Sequence, residues 1–599
     1  MIEKIRNYLL LNPLAIDLIL LAIITIFLGF LGGIPLGMQD SILGPALNAA
    51  KRFGNPRYFA SPGFVIYIFM IAYSFLFIFL YLIGKVNSAN EFRNLFETDV
   101  IFDNVAFHLL GYLIIILFSI IGVVFTYLIA YKLTRKRSIS FLAGLFLATS
   151  LLWVTNSHLL TVNIPYAAIV TGTIFLVLKF VKEKELNKKH LIILGIALGV
   201  SCSTKYNGFL VSSIIFAPMI YSYWGKFKLL LKHILIIGLT ATFVFVVFNP
   251  YIFLDYETFK GYNEIQKNSL SKGWYGFESE TRYTFKEHIT QSLYFGYGLF
   301  PLILALIGVL YVIISKEINI TAKITIIVFP LIFYFVMGLS KSLLYRYMLP
   351  VFPLLAVFSG LGVYFLYLNL TKLANNSDSK KFIVLFLLVI SIVSLYPNIR
   401  DSVKHDLLLR ETDTRTDLLD ILNQAGLNDV KLNIYYGRYL SDAIYNNSNV
   451  KIENNLFAQS IDENVFEDEA NVIAFDSISH DRVVFSNRKG NQEMIYENYS
   501  GHFGLPNDIK KNYRNFENLH VIQISPFNVP KEQVPYSQQS GTAPFRPDLK
   551  FRVKPGPFIE IYFKSKIIAD KLMNSCNRQN INCKLLTGKE SYYFRSIRA

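Results

Sequence analysis

Apolar runs long enough to cross a membrane, about 20 residues each, recur through the first two thirds of the chain. They lie at Leu14–Leu36, Pro62–Gly84, Phe107–Tyr131, Ile139–Thr155, Val162–Val181, His190–Thr204, Tyr206–Trp224, Ile234–Asn249, Gln291–Ile314, Ala322–Leu339, Met348–Leu368 and Phe382–Tyr396. The apolar stretch Ile192–Tyr223 is too long for one span, and Ser203-Thr204-Lys205-Tyr206-Asn207-Gly208 divides it into two short helices. The first run is too long for the core of a signal peptide and lacks a small-residue cleavage site, so it reads as a retained first helix. The pattern predicts a polytopic α-helical membrane protein, without internal repeats or low-complexity segments beyond the apolar runs.

Basic clusters orient these spans. Lys132/Arg135/Lys136/Arg137, Lys182/Lys184/Lys188/Lys189, Lys226/Lys228/Lys232, Lys316/Lys323 and Lys372/Lys380/Lys381 are each separated by an even number of runs, so all can be cytoplasmic. Lys4 and Arg6 place the N-terminus on the same side, yet three runs precede the first cluster, and three crossings would put that cluster outside. One run therefore does not cross. The aromatic-rich Pro62–Gly84 is the candidate, expected to lie along or dip into the outer leaflet. About 11 crossings remain. The long first loop, the turn Ser157–Asn163, the break Lys205–Gly208, the loop Pro250–Ile289, the turn Ser340–Tyr347 and the tail then share the outer side.

The pattern changes near Asn398, dividing the chain into a membrane domain, 1–397, and a soluble domain, 398–599. In the latter, Arg415–Gly426 has helical spacing closed by a glycine. Val430–Ile434, Asn471–Phe475 and Phe558–Tyr562 read as strands, the last following the turn Pro555-Gly556-Pro557. An α/β or α+β domain is expected.

Composition agrees: 53% of residues are hydrophobic and 17% charged, against about a quarter charged in soluble domains. The net charge of +16 fits cytoplasmic loops and an anionic substrate, with no need for nucleic acid as a partner. Cys202 lies in an apolar run. Cys576 and Cys583 suit either a disulfide outside the cytoplasm or two free thiols. No zinc-like cluster stands out.

The unusual polar residues gather in the outer loops. Asp40, just past the first helix, can act as a general base toward an acceptor hydroxyl or cap a helix beginning at Ser41. Lys51, Arg52 and Arg57, in an aromatic loop with Gly54-Asn55-Pro56, can face an anionic substrate or lipid headgroups. His158 and Asn163 flank a short turn. They make a poor metal site, since hard cations prefer carboxylates, so a divalent metal is disfavoured and no cofactor is expected; capping by Asn163 is the structural alternative. Lys205, followed by Tyr206 and Asn207, sits at the helix break, where a lysine is costly unless paired or wet; it either snorkels or, with the next helix start, holds a phosphate. Asn249-Pro250-Tyr251 ends a helix. Arg346, between Tyr345 and Tyr347, can hold a phosphate or anchor its helix at the interface.

The order of these motifs resembles the GT-C membrane glycosyltransferases, nearest the protein O-mannosyltransferase and aminoarabinose-transferase-like group (glycosyltransferase family 39 and relatives). Gln39-Asp40-Ser41, Gly54-Asn55-Pro56 with Ser61-Pro62, His158 through Pro165, Thr204 through Gly208, Asn249-Pro250-Tyr251, Arg346 through Pro350 and Asp413-Thr414-Arg415 carry it. It implies an inverting transfer of a sugar from a polyprenyl-phosphate donor to an extracytoplasmic acceptor. Asp40 would be the base, Lys205, Arg346 and Arg57 would hold the phosphate, and Tyr206, Asn207, His158, Asn163 and Tyr345 would line the site. A plasma-membrane location with site and tail outside follows. Ser41 and Asn163 stand where the family often has acids, which weakens a metal-dependent reading. A flippase for a lipid-linked saccharide would need polar helix interiors, which these apolar runs lack; a non-catalytic assembly protein is the third reading.

Overall fold

The computed structural model describes residues 13–33, 42–92, 105–180, 186–272, 283–374, 376–426, 431–435, 451–456, 471–476, 515–534 and 549–592. The apolar runs fold as helices because, in lipid, each backbone N–H and C=O must be satisfied within its own segment. They are α1 (Pro13–Leu31), α2 (Leu43–Lys51), α3 (Gly63–Leu82), α4 (Val105–Thr134), α5 (Arg137–Ala148), α6 (Leu151–Ser157), α7 (Asn163–Phe180), α8 (Lys188–Thr204) and α9 (Ser212–Ser222). Then follow α10 (Phe227–Phe248), the amphipathic α11 (Tyr256–Lys272), α12 (Leu299–Ile314), α13 (Ile320–Gly338), α14 (Phe352–Leu373) and α15 (Ser377–Leu408).

Among the described residues, eight helices are long and apolar enough to span a membrane, α3 included. Two bent pairs add further candidates: α5 with α6, bent by 60°, and Phe285–Tyr297 with α12, bent by 107°. Contacts between helix ends sort these candidates. Arg137 at the start of α5 pairs with Asp17 at the start of α1, 2.8 Å away. The backbone N–H of Leu186, ahead of α8, meets the Tyr223 hydroxyl at the end of α9 at 3.0 Å. These contacts mark a basic end of the bundle. At the opposite end, a Cβ on Gly32 would touch the Asp406 carbonyl of α15, and one on Gly111, early in α4, would touch Leu160 in the α6–α7 turn.

So α1 arrives at the second end and α4 departs from it. The α3 helix starts at that same end, where the Gly63 N–H donates to the Asn249 side chain at 2.8 Å. Its midpoint residue Tyr73 lies beside Gly111, early in α4. The 17-residue α8 and the segment from Tyr206 through α9 cross in opposite directions although each is short.

Close packing holds the bundle where apolar contact with lipid cannot. A Cβ on Gly308 of α12 would lie 1.8 Å from the Phe358 carbonyl of α14, and one on Gly362 of α14 would lie 2.0 Å from the Leu304 carbonyl. These two backbones touch because neither residue has a side chain.

The last helix does not stop near residue 398. Asn398, Ser402, His405 and Asp406 are buried against the bundle, and this packing carries α15 through Pro397 to Leu408. Beyond it, α16 (Thr414–Gln424) and α17 (Lys566–Arg578) cover a six-stranded mixed sheet. Its strands are β1 (Lys431–Tyr435), β2 (Lys451–Leu456), β3 (Asn471–Asp476), β4 (His520–Ile524), β5 (Ile559–Phe563) and β6 (Cys583–Thr587), in the order β2-β1-β3-β5-β4-β6. The pairs of β1 with β2 and β3 are parallel and the rest antiparallel. Leu418 and Leu422 of α16, Leu572 of α17 and Ile559 and Ile561 of β5 share one core. Cys576 and Cys583 form a disulfide joining α17 to β6.

Asp413-Thr414-Arg415 caps α16. Asp413 accepts from the Arg415 N–H at 2.9 Å and pairs with its guanidinium at 2.8 Å, while the Thr414 hydroxyl reaches the Pro557 carbonyl at 2.7 Å. Burial pushes the Asp413 carboxyl up, but the Arg415 charge and hydrogen bonds outweigh it and hold it below the usual range.

Candidate active site

Two helix breaks build the site. At the first, α8 ends at Thr204 and Lys205 turns extended, with φ −150° and ψ 140°. A 3-10 turn, Tyr206–Val211, leads into α9. The turn folds back onto α8 so closely that a Cβ on Gly208 would lie 2.1 Å from the Ser201 carbonyl; only glycine allows this. The second break, Tyr345–Val351, is also a 3-10 turn and contains Pro350, which cannot donate to a helical ladder.

The breaks face each other. Lys205 Nζ donates to Asn163 Oδ1 at 3.0 Å. It also lies over the Tyr347 ring at 4.6 Å and the Tyr166 ring at 6.0 Å, a favourable setting for a part-desolvated cation. Its hydrogen-bond partner is thus a neutral amide, and Arg346 brings a second positive charge near. Burial, and then the Arg346 charge, bring Lys205 down to about 7. Two cations held near each other suit an anion.

The first loop braces this pair. The Tyr206 hydroxyl donates to the Phe59 carbonyl at 2.9 Å, and the Tyr166 hydroxyl to the Asn207 carbonyl at 3.2 Å. Asn207 Nδ2 points at the Met337 sulfur, 3.8 Å away. Asn249 ties three elements at one point. It accepts from Gly63 N–H at 2.8 Å and donates to the Ser203 hydroxyl at 3.1 Å and the Phe245 carbonyl at 2.8 Å. The Asn-Pro-Tyr segment therefore does more than stop α10.

Other residues singled out in the sequence lie elsewhere. Arg57 is exposed, has φ +45° and lies near Asp255. Asn55 Nδ2 and the Thr258 hydroxyl donate to the Asp255 carboxylate at 2.8 and 2.7 Å. Those bonds, helped by Arg57, hold it below the usual range. Tyr345 is buried, with its hydroxyl on Gln291 in the π-helical turn His288–Leu293; the ring that meets Lys205 belongs to Tyr347. His158 is fully buried and turns toward His405 and Asp406 of α15. Asp40 lies outside the described residues. The nearest described point of its loop is Ile42, whose N–H donates to the Leu160 carbonyl at 2.9 Å, in the turn that leads to Asn163. Tyr166 was not singled out in the sequence, where it is one aromatic within an apolar run. His405-Asp406 is a charged pair placed beyond the last run, and that was its available signal.

The model of the dolichyl-phosphate-mannose-protein mannosyltransferase family matches residues 74–263. No curated protein matches the sequence. Among solved structures, the archaeal oligosaccharyltransferase AglB from Archaeoglobus fulgidus, in complex with an inhibitory peptide and a dolichol-phosphate, is 11% identical with a TM-score of 0.51, covering 95% of this chain and 78% of that one. Its apo form is 12% identical with a TM-score of 0.52, covering 92% and 88%. ArnT from Cupriavidus metallidurans bound to undecaprenyl phosphate is 12% identical with a TM-score of 0.49, covering 80% and 95%. The fold is that of the archaeal enzyme, and the family model matched over residues 74–263 is that of the protein mannosyltransferases which the motifs resemble.

Proposed function

We propose that the chain transfers a sugar from a polyprenyl-phosphate donor to an acceptor on the extracytoplasmic side, inverting the configuration at the sugar carbon. The observation that carries this reading is the convergence of Lys205 and Arg346 from two separate helix breaks at one end of the bundle, against their mutual repulsion. The matched family is named for a dolichyl-phosphate-linked donor, and the structure of the archaeal neighbour is in complex with a dolichol-phosphate.

In this scheme the acceptor hydroxyl loses its proton to Asp40 as its oxygen attacks the anomeric carbon. The bond from that carbon to the phosphate oxygen breaks, and the polyprenyl phosphate leaves with the electron pair. Lys205 and Arg346 stabilise the negative charge that grows on it, the role in which preorganised cations matter most. Tyr206, Asn207, Asn163 and Tyr166 form the wall around Lys205. Arg57 in the first loop is available to the phosphate or to headgroups. The plasma membrane is the expected location, with site and tail outside: the basic loops occupy the opposite end, and the Cys576–Cys583 disulfide suits an oxidising compartment.

The test is release of polyprenyl phosphate from a panel of polyprenyl-phosphate sugars by the purified chain in lipid, compared with Asp40→Asn. Release that needs Asp40 supports the reading and identifies the sugar. Binding of every donor with release from none refutes it.

A further inference from the structure

We propose that His158, His405 and Asp406 form a closed binding site for one zinc ion, which fastens the end of the last membrane helix to the α6–α7 turn. The site does not rest on the transferase reading.

All three side chains are fully buried, and one ligand atom from each lies within 4.8 Å of the others. His158 Nε2 is 3.6 Å from Asp406 Oδ1, and His405 Nδ1 is 3.1 Å from the same oxygen. Zinc bonds of 2.0–2.1 Å in tetrahedral geometry put neighbouring ligand atoms about 3.3 Å apart, so both separations match.

The protonation of His158 adds an independent argument. Its Nδ1 lies 2.9 Å from the Val154 carbonyl, which can only accept, so Nδ1 carries the proton. In the neutral ring the Nε2 lone pair then points at the Asp406 carboxylate, another acceptor. Nε2 has no hydrogen-bond partner among the described residues, and neither has Asp406 Oδ2. Two acceptors facing each other at 3.6 Å in a buried site call for a positive charge between them. A histidine with one ring nitrogen on a backbone carbonyl and the other free is the usual arrangement of a metal ligand. Two imidazoles and a carboxylate form a zinc donor set, with the second Asp406 oxygen or a water left for the fourth position.

The surroundings are closed. The Tyr112 hydroxyl of α4 donates to the His158 carbonyl, and Gly32 at the end of α1 lies against the Asp406 backbone. An ion here would join α6 to the point where α15 leaves the bundle for the soluble domain, giving it a structural role.

The experiment uses the full chain without a histidine tag, in lipid nanodiscs, stripped with chelator and then loaded with zinc or cobalt. We expect one metal per chain by elemental analysis, cobalt absorption of a tetrahedral nitrogen–oxygen site, and X-ray absorption showing two imidazoles at about 2.0 Å. The variants His405→Ala and Asp406→Asn should each weaken binding at least tenfold, and zinc should raise the melting temperature of the wild type but not of the variants. Should the variants fold poorly, the wild-type X-ray absorption decides alone: absence of imidazole ligands, or no metal above background at any pH from 6 to 8, overturns the proposal and leaves a proton between His158 and Asp406.

Discussion

Replacing Lys205 by methionine removes the charge while keeping most of the side-chain length, and the expected effect is large on binding and small on stability. For binding, a charge-assisted hydrogen bond to phosphate contributes about 1.5–3 kcal/mol, so the dissociation constant for a polyprenyl-phosphate donor should rise about 10- to 150-fold, at about 1.4 kcal/mol per decade. For stability, Lys205 falls from 10.5 to about 7, and each unit is worth about 1.4 kcal/mol. Holding the charge below pH 7 therefore costs at most about 5 kcal/mol, and about 1–3 kcal/mol once partial exposure is allowed for. Methionine relieves that cost, but it leaves Asn163 Oδ1 without its donor, about 1–3 kcal/mol in the other direction. The two offset, so the melting temperature should stay within a few degrees of wild type while affinity collapses. The pH dependence adds a second readout. Free Lys205 is protonated below about 7 and neutral above it, so wild-type affinity should fall as pH rises from 7 to 9, and Lys205→Met should lose that fall. Titrating a fluorescent donor analogue into nanodiscs at pH 6, 7, 8 and 9 measures both. Unchanged affinity with a lowered melting temperature would show that Lys205 is a packing residue and refute the anion-site argument.

Asn249→Ala removes the acceptor of the Gly63 N–H and the donor to Ser203. It should destabilise by about 1–3 kcal/mol per stranded group, with no change of donor affinity in the fraction that remains folded, as thermal unfolding and binding would show. Gly362→Leu forces α12 and α14 apart, since even a Cβ would lie 2.0 Å from the Leu304 carbonyl; loss of monodisperse protein in size-exclusion chromatography is expected, and a normal profile would contradict the packing. Asp413 is held below its usual range by Arg415, so the pair adds stability above the unfolded carboxyl value of about 3.9 and loses it as pH falls through the lower folded value. Asp413→Asn should cost about 3–5 kcal/mol at pH 7 and flatten the acid limb of unfolding below pH 4. Equal acid limbs for variant and wild type would count against the pairing.

Much of this architecture is legible in the chain because it is set by local rules. Membrane helices announce themselves by length and apolarity, and the break at Ser203–Gly208 by a polar interruption within an overlong run. Charge parity makes Pro62–Gly84 the expected non-crossing segment, although α3 is long and apolar enough to span, because sidedness is a property of the whole list of loops. In the tail, Arg415–Gly426, Val430–Ile434, Asn471–Phe475 and Phe558–Tyr562 matched α16, β1, β3 and β5 within a residue or two. The strands β2, β4 and β6 went unread, since each is held by its partners in the sheet: β2 pairs with β1, and β4 with β5 and β6.

The amino-acid sequence by itself thus determined a bundle with its polar residues gathered at one end, because hydrophobic length and loop charge act segment by segment. It also nominated Lys205 and Arg346 separately, each unusual at a helix break. Only the tertiary structure decided that these two lie near each other, that Tyr347 and not Tyr345 lies under Lys205, and that His158 turns toward His405 and Asp406. A pattern along the chain records which face of a helix is apolar. Which helix end meets which depends on close approaches such as Gly308 with Gly362 and on the Asn249 hydrogen bonds, which join residues far apart in sequence.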